Sequence, residues 1–405
     1  MSTLLPVTEA LRLIVEDLEP VAAETVVLVE ALGRTLRADA LAQVSHPPAD
    51  VSAMDGYAVR CDDISKVPCK LRVIGESAAG HPWRESLSAG DTVRIFTGAY
   101  VPEGADGIVI QEDTAADEAR VSINQAPQRG RHIRRCGQDF RKGEAVLAAP
   151  RRLTARDIGL LAAMNLPSVT VACRPRVGVL STGDEIVMPG DPVADGQIVS
   201  ANGPGLCAFI SAHGGEPLHL GVVTDDPKAL LRLVEQSRFL DLLVTTGGVS
   251  VGDHDIVKEA LSGADFKAAF HKIAMRPGKP LLFGRLHGLP ILGMPGNPVS
   301  AMVCAILFLG PALARLQGLA GDAPAQAAAC LGSDLKANDA RTDHIRATLR
   351  HHHDGKPRGL PVATPFQAQD SAMIATLARA DALIVREPHA SAAKAGEIVS
   401  VIALN

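Results

Sequence analysis

The chain has 405 residues, 47% of them hydrophobic, and a net charge of −5. That length exceeds one ordinary core and predicts roughly two to four domains. The acidic balance argues against a nucleic-acid or anionic-membrane binder, whose footprint is basic, and the 3% aromatic content leaves few rings for stacking nucleobases. No apolar run reaches the ~18–20 residues of a membrane span. The longest, Val299 to Leu309, is interrupted by Ser300 and reads as a buried helix. The stretch MSTLLPVTEALRLIVEDLEP has no basic start and no signal-type cleavage site. Seven cysteines without a C-x-x-C spacing suit free thiols in a reducing cytoplasm.

In chain order, Thr8 is placed to cap a helix over Glu9 to Leu18. VEALGRTLRADALA predicts a second short helix leading into an extended strand, and SHPPADVSAMDGYAVR a proline-rich crossing into a tight acidic turn. From about 57 to 150, short alternating runs punctuated by glycine and proline predict an all-β module. LTARDIGLLAAMNLPSVTVA then returns to helix and strand. The expected domains are a discontinuous N-terminal α+β domain (1–46 and 140–173) around a β-rich insert (47–139), an α/β domain (174–320) and a C-terminal β domain (321–405).

The α/β domain has the clearest pattern. RVGVLST, EPLHLGVVTDD, DLLVTT and LPILGMP read as strands. Between them lie a helix with Asn202 as N-cap, a helix opened by Asp226 and Pro227, and a helix that Asn297 caps and Pro298 opens. This alternation predicts a three-layer α/β domain with a mostly parallel sheet. The final segment offers HIRATLR, ALIVRE and EIVSVIAL as strands of a β-barrel-like domain. HHHDGK (351–356) reads as a hairpin turn.

Right-handed crossovers send three loops from one edge of such a sheet: STGDEI (181–186), TTGGVSVGDHD (245–255) and MPGNPVS (294–300). They bring Thr182, Gly183 and Asp184; Gly247, Gly248 and Ser250; and Pro295, Gly296, Asn297, Pro298 and Ser300 to the place where ligands of open α/β sheets bind. Glycine backbone and helix N-termini suit a phosphate or oxyanion. RPGKP adds Arg276 and Lys279, with Pro277 and Pro280 restricting that backbone. Asp184, Glu185, Asp226, Asp253 and Asp255 are the acidic counterpart. Carboxylates beside a phosphate pocket point to Mg²⁺ and to attack at a phosphate or phosphoanhydride.

The motifs SAMDGYA (52–58), TGAYVPEGAD (97–106), RRCGQD (134–139), STGDEI, TTGGVSVGDHD, RPGKP (276–280) and PGNPVS (295–300) run through nearly the whole chain. In that order they resemble the MoeA family of molybdopterin molybdenumtransferases, similar also to the gephyrin E domain and the plant Cnx E domain. The resemblance implies a four-domain homodimer that inserts molybdate into adenylyl-molybdopterin, releasing AMP. It implies that Asp255 and Glu185 hold Mg²⁺ or aim water, with Asp226 an acidic position of the same pocket. Asp55 and Asp139 match acidic positions contributed by a neighbouring subunit. Lys279, Pro280 and Ser300 match positions that hold molybdate, as do Arg341, opening RTDHIR, and Ser371. A further implied partner is the adenylyltransferase of the same pathway; neither nucleic acid nor membrane is expected. The sequence departs from the family pattern at Ser200 and Ala201, at QAQD before Ser371, and at His344, where the family has an aromatic. The competing readings are a molybdopterin adenylyltransferase, a related nucleotide pyrophosphatase, and a gephyrin-like binding scaffold.

Overall fold

The structure, a computed structural model, describes residues 4–117, 119–224, 226–248, 266–350 and 359–404. Ser250, Asp253, Asp255 and the HHHDGK turn lie outside the described residues. The chain divides into two compact units, 1–24 with 172–405, and 25–171.

The first unit is built on a six-stranded sheet in the order Glu216–Val223, Arg176–Thr182, Leu242–Thr246, Leu289–Met294, Leu282–Leu286, Lys267–His271. The first four strands are parallel; the last two, not anticipated from the sequence, form an antiparallel edge. Leu242–Thr246 and Leu289–Met294 are buried at every position, as strands covered on both faces must be. Successive side chains alternate between faces. Val177, Val179, Val244 and Leu292 pack with Leu206, Ile210, Val299 and Val303. Leu180, Leu243 and Ile291 pack on the opposite side with Val234 and Leu240. Each such side chain stabilises the fold by about 1.5–3 kcal/mol.

The longest apolar helix runs from Pro298 to Leu316, through a π-helical turn at Ala305–Leu309. Its length and composition would let it cross a membrane, yet 72% of its apolar window is buried inside the protein. It is the central core helix of this unit.

A closed five-stranded barrel completes the unit. It runs through Thr342–Arg350, Val362–Pro365, Ala327–Leu331, Ile398–Ala403 and Ala382–Arg386, and the last pairs back onto the first. Its core uses Ala329, Ala347, Ala363 and Ala382 beside Leu331, Ile384 and Val401, small residues that fit a narrow interior. Met275–Arg276 pairs with Thr342–Asp343, so the RPGKP segment is tied to the barrel.

The 25–171 unit holds a six-stranded mixed sheet, in the order Gly107–Ile110, Gly56–Val59, Asp91–Ile95, Cys69–Ser77, Arg120–Ile123, Thr114–Ala116. A smaller sheet joins Thr35–Leu36 to Arg151–Arg152 and Ser168–Ala172. The helix Ala155–Ala163 has a full capping box between Thr154 and Asp157.

Several sequence expectations need correction. The first helix spans Val7–Asp17 with Pro6 at the N-cap, so Thr8 is already helical and caps nothing. Its Ala10, Ile14 and Leu18 sit in the α/β core rather than with residues 140–173. The second helix does not form: a single 3-10 turn, Leu28–Glu30, is followed by short strands. Gly33 at φ +74° reverses the chain there, and strand pairing then claims the backbone groups of Thr35 and Leu36. Asn202 is the first residue of Asn202–Ala212, not its cap. Asn297 does precede Pro298–Cys304, but its side chain makes no capping bond. Asp226 behaves as expected, accepting a 2.9 Å hydrogen bond from the Lys228 N–H. All seven cysteines are free.

Candidate anion-binding site

Parallel register places the ends of three strands side by side: Ser181 lies opposite Thr246, and Thr246 opposite Met294. The loops that leave them surround a cavity of about 470 Å³. Its lining includes Thr182, Gly183, Glu185, Gly247, Gly248, Pro295, Gly296, Asn297, Pro298 and Ser300, with Pro280 from the RPGKP segment.

Close approach of backbones dictates the glycines. Gly247 has φ +91°, and a Cβ there would lie 2.4 Å from the Thr182 carbonyl oxygen. Gly183 has φ +140°, and its Cβ would meet the Glu185 carboxylate at 2.6 Å. A side chain at either position would push the loops apart.

The helices Asn202–Ala212 and Pro298–Cys304 both begin at this cavity, and neither has a side-chain N-cap bond. Their dipoles favour negative charge, although Pro298 has no N–H and the Val299 N–H is taken by Ser371. Asn202 does something else: its amide donates to the Thr246 hydroxyl and to the Gly296 carbonyl, both at 2.7 Å. Thr246 in turn donates to the Pro295 carbonyl at 3.2 Å. Asn297 donates to the Ser371 hydroxyl at 2.9 Å, and the Val299 N–H donates to the Ser371 carbonyl at 3.1 Å, fastening the barrel's 366–373 segment to the cavity rim. Among the described residues, the buried hydroxyls of Ser181 and Thr182 have no hydrogen-bond partner, a cost of roughly 1–3 kcal/mol each. Both residues line the cavity.

Other expected site residues lie elsewhere. Asp184 is exposed and does not line the cavity. The Asp226 carboxylate caps its helix, lies 3.8 Å from Arg232, and does not line the cavity. Lys279 is half-buried and Arg276 faces the barrel, where it pairs with Asp343. Arg341 pairs with Asp339 at 2.6 Å rather than reaching the cavity, and that hydrogen bond holds Asp339 down at about 2. Asp55 and Asp139 belong to the 25–171 unit. The Asp55 carboxylate accepts the Thr97 N–H at 2.7 Å and the Thr97 hydroxyl at 2.8 Å, which lowers its pKa.

Sequence reasoning missed Ser181, Ser200, Asn202, Thr246 and the exposed pair Ile198 and Val199, all of which line the cavity. Ser181 and Thr246 lie inside the STGDEI and TTGGVSVGDHD loops, although neither stood among the expected site residues. Asn202 carried only the signal of a helix start.

An open, mostly parallel α/β sheet with glycine turns and two helix N-termini at its C-terminal edge defines a binding domain for phosphorylated or other anionic ligands. Three family models extend this: the MoeA N-terminal region (domain I and II) matches residues 5–165, a probable molybdopterin binding domain matches 178–315, and the MoeA C-terminal region (domain IV) matches 328–404. The chain is 34% identical to a molybdopterin molybdenumtransferase of Haemophilus influenzae, over 95% of each chain. It is 33% identical to one of Bacillus subtilis, over 99% of this chain and 94% of that one. A crystal structure of a molybdopterin biosynthesis moeA protein from Pyrococcus horikoshii matches with a TM-score of 0.85 at 27% identity, covering 99% of this chain and all of that one. The chain belongs to the MoeA family of molybdopterin molybdenumtransferases.

Proposed function

We propose that the cavity at the C-terminal edge of the α/β sheet takes the phosphates of adenylyl-molybdopterin, and that the chain uses molybdate to insert molybdenum, with release of AMP. The chain is an enzyme of molybdenum cofactor biosynthesis, as its curated relatives are named. The observation that carries the phosphate assignment is the convergence on one cavity of two helix N-termini, the Gly247–Gly248 turn and the unpartnered hydroxyls of Ser181 and Thr182. These groups neutralise the charge of a phosphoanhydride without moving. Water adds at phosphorus, the anhydride P–O bond breaks, and AMP leaves with the oxygen.

Mg²⁺ fits the donor chemistry of this cavity. The described residues contain no cluster of three or more His, Cys, Asp or Glu side chains, and Glu185 is the carboxylate among the described lining residues. One carboxylate with substrate phosphates and several waters is the usual Mg²⁺ arrangement. Bound there, the ion would offset phosphate charge; Asp255 is the second ligand in this reading. Lys279, Pro280 and Ser300 hold molybdate in the same reading, with Arg341 and Ser371 contributing from the barrel. Asp55 and Asp139 serve the site of a second copy in a homodimer, and an adenylyltransferase supplies the substrate.

The test is AMP release from adenylyl-molybdopterin by purified protein with Mg²⁺. Release that requires molybdate supports the proposal. Consumption of ATP to form the adenylate, or release indifferent to molybdate, overturns it in favour of an adenylyltransferase or a pyrophosphatase.

A further inference from the structure

The polar floor of the cavity explains an anion but leaves one wall unexplained. The short parallel ribbon of Ile186–Val187 and Ile198–Val199 stands beside the Gly183 turn, and Ile186, Ile198 and Val199 line the cavity. Ile198 is 56% exposed and Val199 46%. Both strands are otherwise tightly held. The Ile198 N–H donates to the Glu185 carbonyl and the Ser200 N–H to the Val187 carbonyl, each at 2.8 Å, while the Ile186 N–H donates to Gly183 at 3.2 Å. The apolar side chains are thus presented at a fixed position next to the Glu185 backbone. Neighbouring exposed apolar side chains rimmed by polar groups mark a binding surface. No aromatic side chain lines the described part of the cavity, so a flat ring entering it meets aliphatic groups.

We propose that Ile198 and Ile186, paired across the ribbon and so on one face of it, form an aliphatic shelf that packs a heterocyclic ring of the substrate while its phosphate lies on the glycine floor, and that Ile198 is a specificity-determining residue. This rests on the assignment of the cavity to a phosphorylated heterocyclic substrate. Adenylyl-molybdopterin has such a ring at each end, adenine and pterin, and both present the same flat, partly apolar face. Packing removes apolar area from water on both partners, and a ring without the shelf loses affinity rather than reactivity. The shelf therefore acts on substrate binding.

The test compares Ile198→Ser and Ile198→Leu with the unsubstituted protein. The position is exposed, so folding is little affected. Ile198→Ser should raise KM for adenylyl-molybdopterin about tenfold, in the range for lost contacts in an apolar pocket, with kcat almost unchanged. Ile198→Leu should restore the original KM. Inorganic pyrophosphate should inhibit all three proteins equally, because it meets only the floor. Calorimetric titration with AMP separates the two rings: AMP binding weakened in parallel with KM identifies adenine on the shelf, and AMP binding unchanged while KM rises identifies the pterin. An unchanged KM in Ile198→Ser, with pyrophosphate still competing, overturns the shelf and leaves the phosphate assignment standing. Pyrophosphate that fails to compete in the unsubstituted protein overturns the phosphate assignment and the shelf with it.

Discussion

The side-chain amide of Asn202 lies 2.7 Å from the carbonyl oxygen of Gly296, 94 positions away, and also 2.7 Å from the Thr246 hydroxyl. One amide thus ties the start of a helix to two of the three loops around the cavity. Asn202→Asp keeps the shape but cannot donate, and it sets a carboxylate against a carbonyl. We expect a loss of about 0.5–1.5 kcal/mol, the net worth of a hydrogen bond in a partly exposed setting, together with a higher KM. Urea unfolding measures the first and steady-state kinetics the second; values equal to the unsubstituted protein would dismiss the bridge.

Gly247 controls the approach of the second loop to the first. With φ +91° and the Thr182 carbonyl oxygen 2.4 Å from the position of an added Cβ, Gly247→Ala must move backbone. A displacement near 1 Å at a positioning element costs about 10²-fold in rate. The expected result is a folded protein, by circular dichroism, whose AMP release has fallen by that order. Normal turnover would show that the turn tolerates displacement.

Glu185 carries the metal expectation. Glu185→Gln removes the charge and keeps the size. The Mg²⁺ concentration for half-maximal AMP release should rise by about 10-fold or more, as for loss of a charged metal ligand. An unchanged Mg²⁺ titration returns Glu185 to a role in shaping the Gly183 turn.

His344 predicts a pH dependence. It is 4% exposed, and burial pushes its pKa down from 6.5 to about 4. The unfolded chain therefore binds more protons between these values, so stability is fully present above pH 6.5 and is lost as pH falls toward 4. The two values differ by on the order of 3 kcal/mol. His344→Phe should flatten thermal stability across this interval. A mutant that keeps the slope would assign it to other groups.

Arg346 is 1% exposed and is satisfied by the Gln369 side chain and the Met373 carbonyl, both at 3.2 Å. Gln369 also donates to the Arg346 carbonyl at 2.9 Å. Gln369→Ala strips a buried guanidinium of an acceptor, and the cost should be at least about 1–3 kcal/mol. Because Ser371 lies between Gln369 and Met373, the Ser371–Asn297 contact should loosen as well. Unaltered urea stability would mean that water replaces Gln369.

Much of the α/β unit was legible because its signals are local. Asp226 and Pro227 start a helix through groups two residues apart. The glycines of STGDEI and TTGG mark turns that only glycine can make, and apolar runs covered on both faces announced the parallel strands. The motif order supplied the family. The failures are non-local. VEALGRTLRADALA has helical composition, yet strand partners more than a hundred positions away claim Thr35 and Leu36.

By itself, then, the sequence determined the positions of the glycine turns, their strand–helix setting and the family, since each depends on local backbone preferences and on motifs that neighbouring residues carry. Tertiary structure alone decided which side chains knit those loops together. Asn202 looked like a helix cap until folding brought Thr246 and Gly296 to its amide. A hydrogen-bonding side chain takes the partner that packing puts within about 3 Å, and that distance is a property of the folded chain.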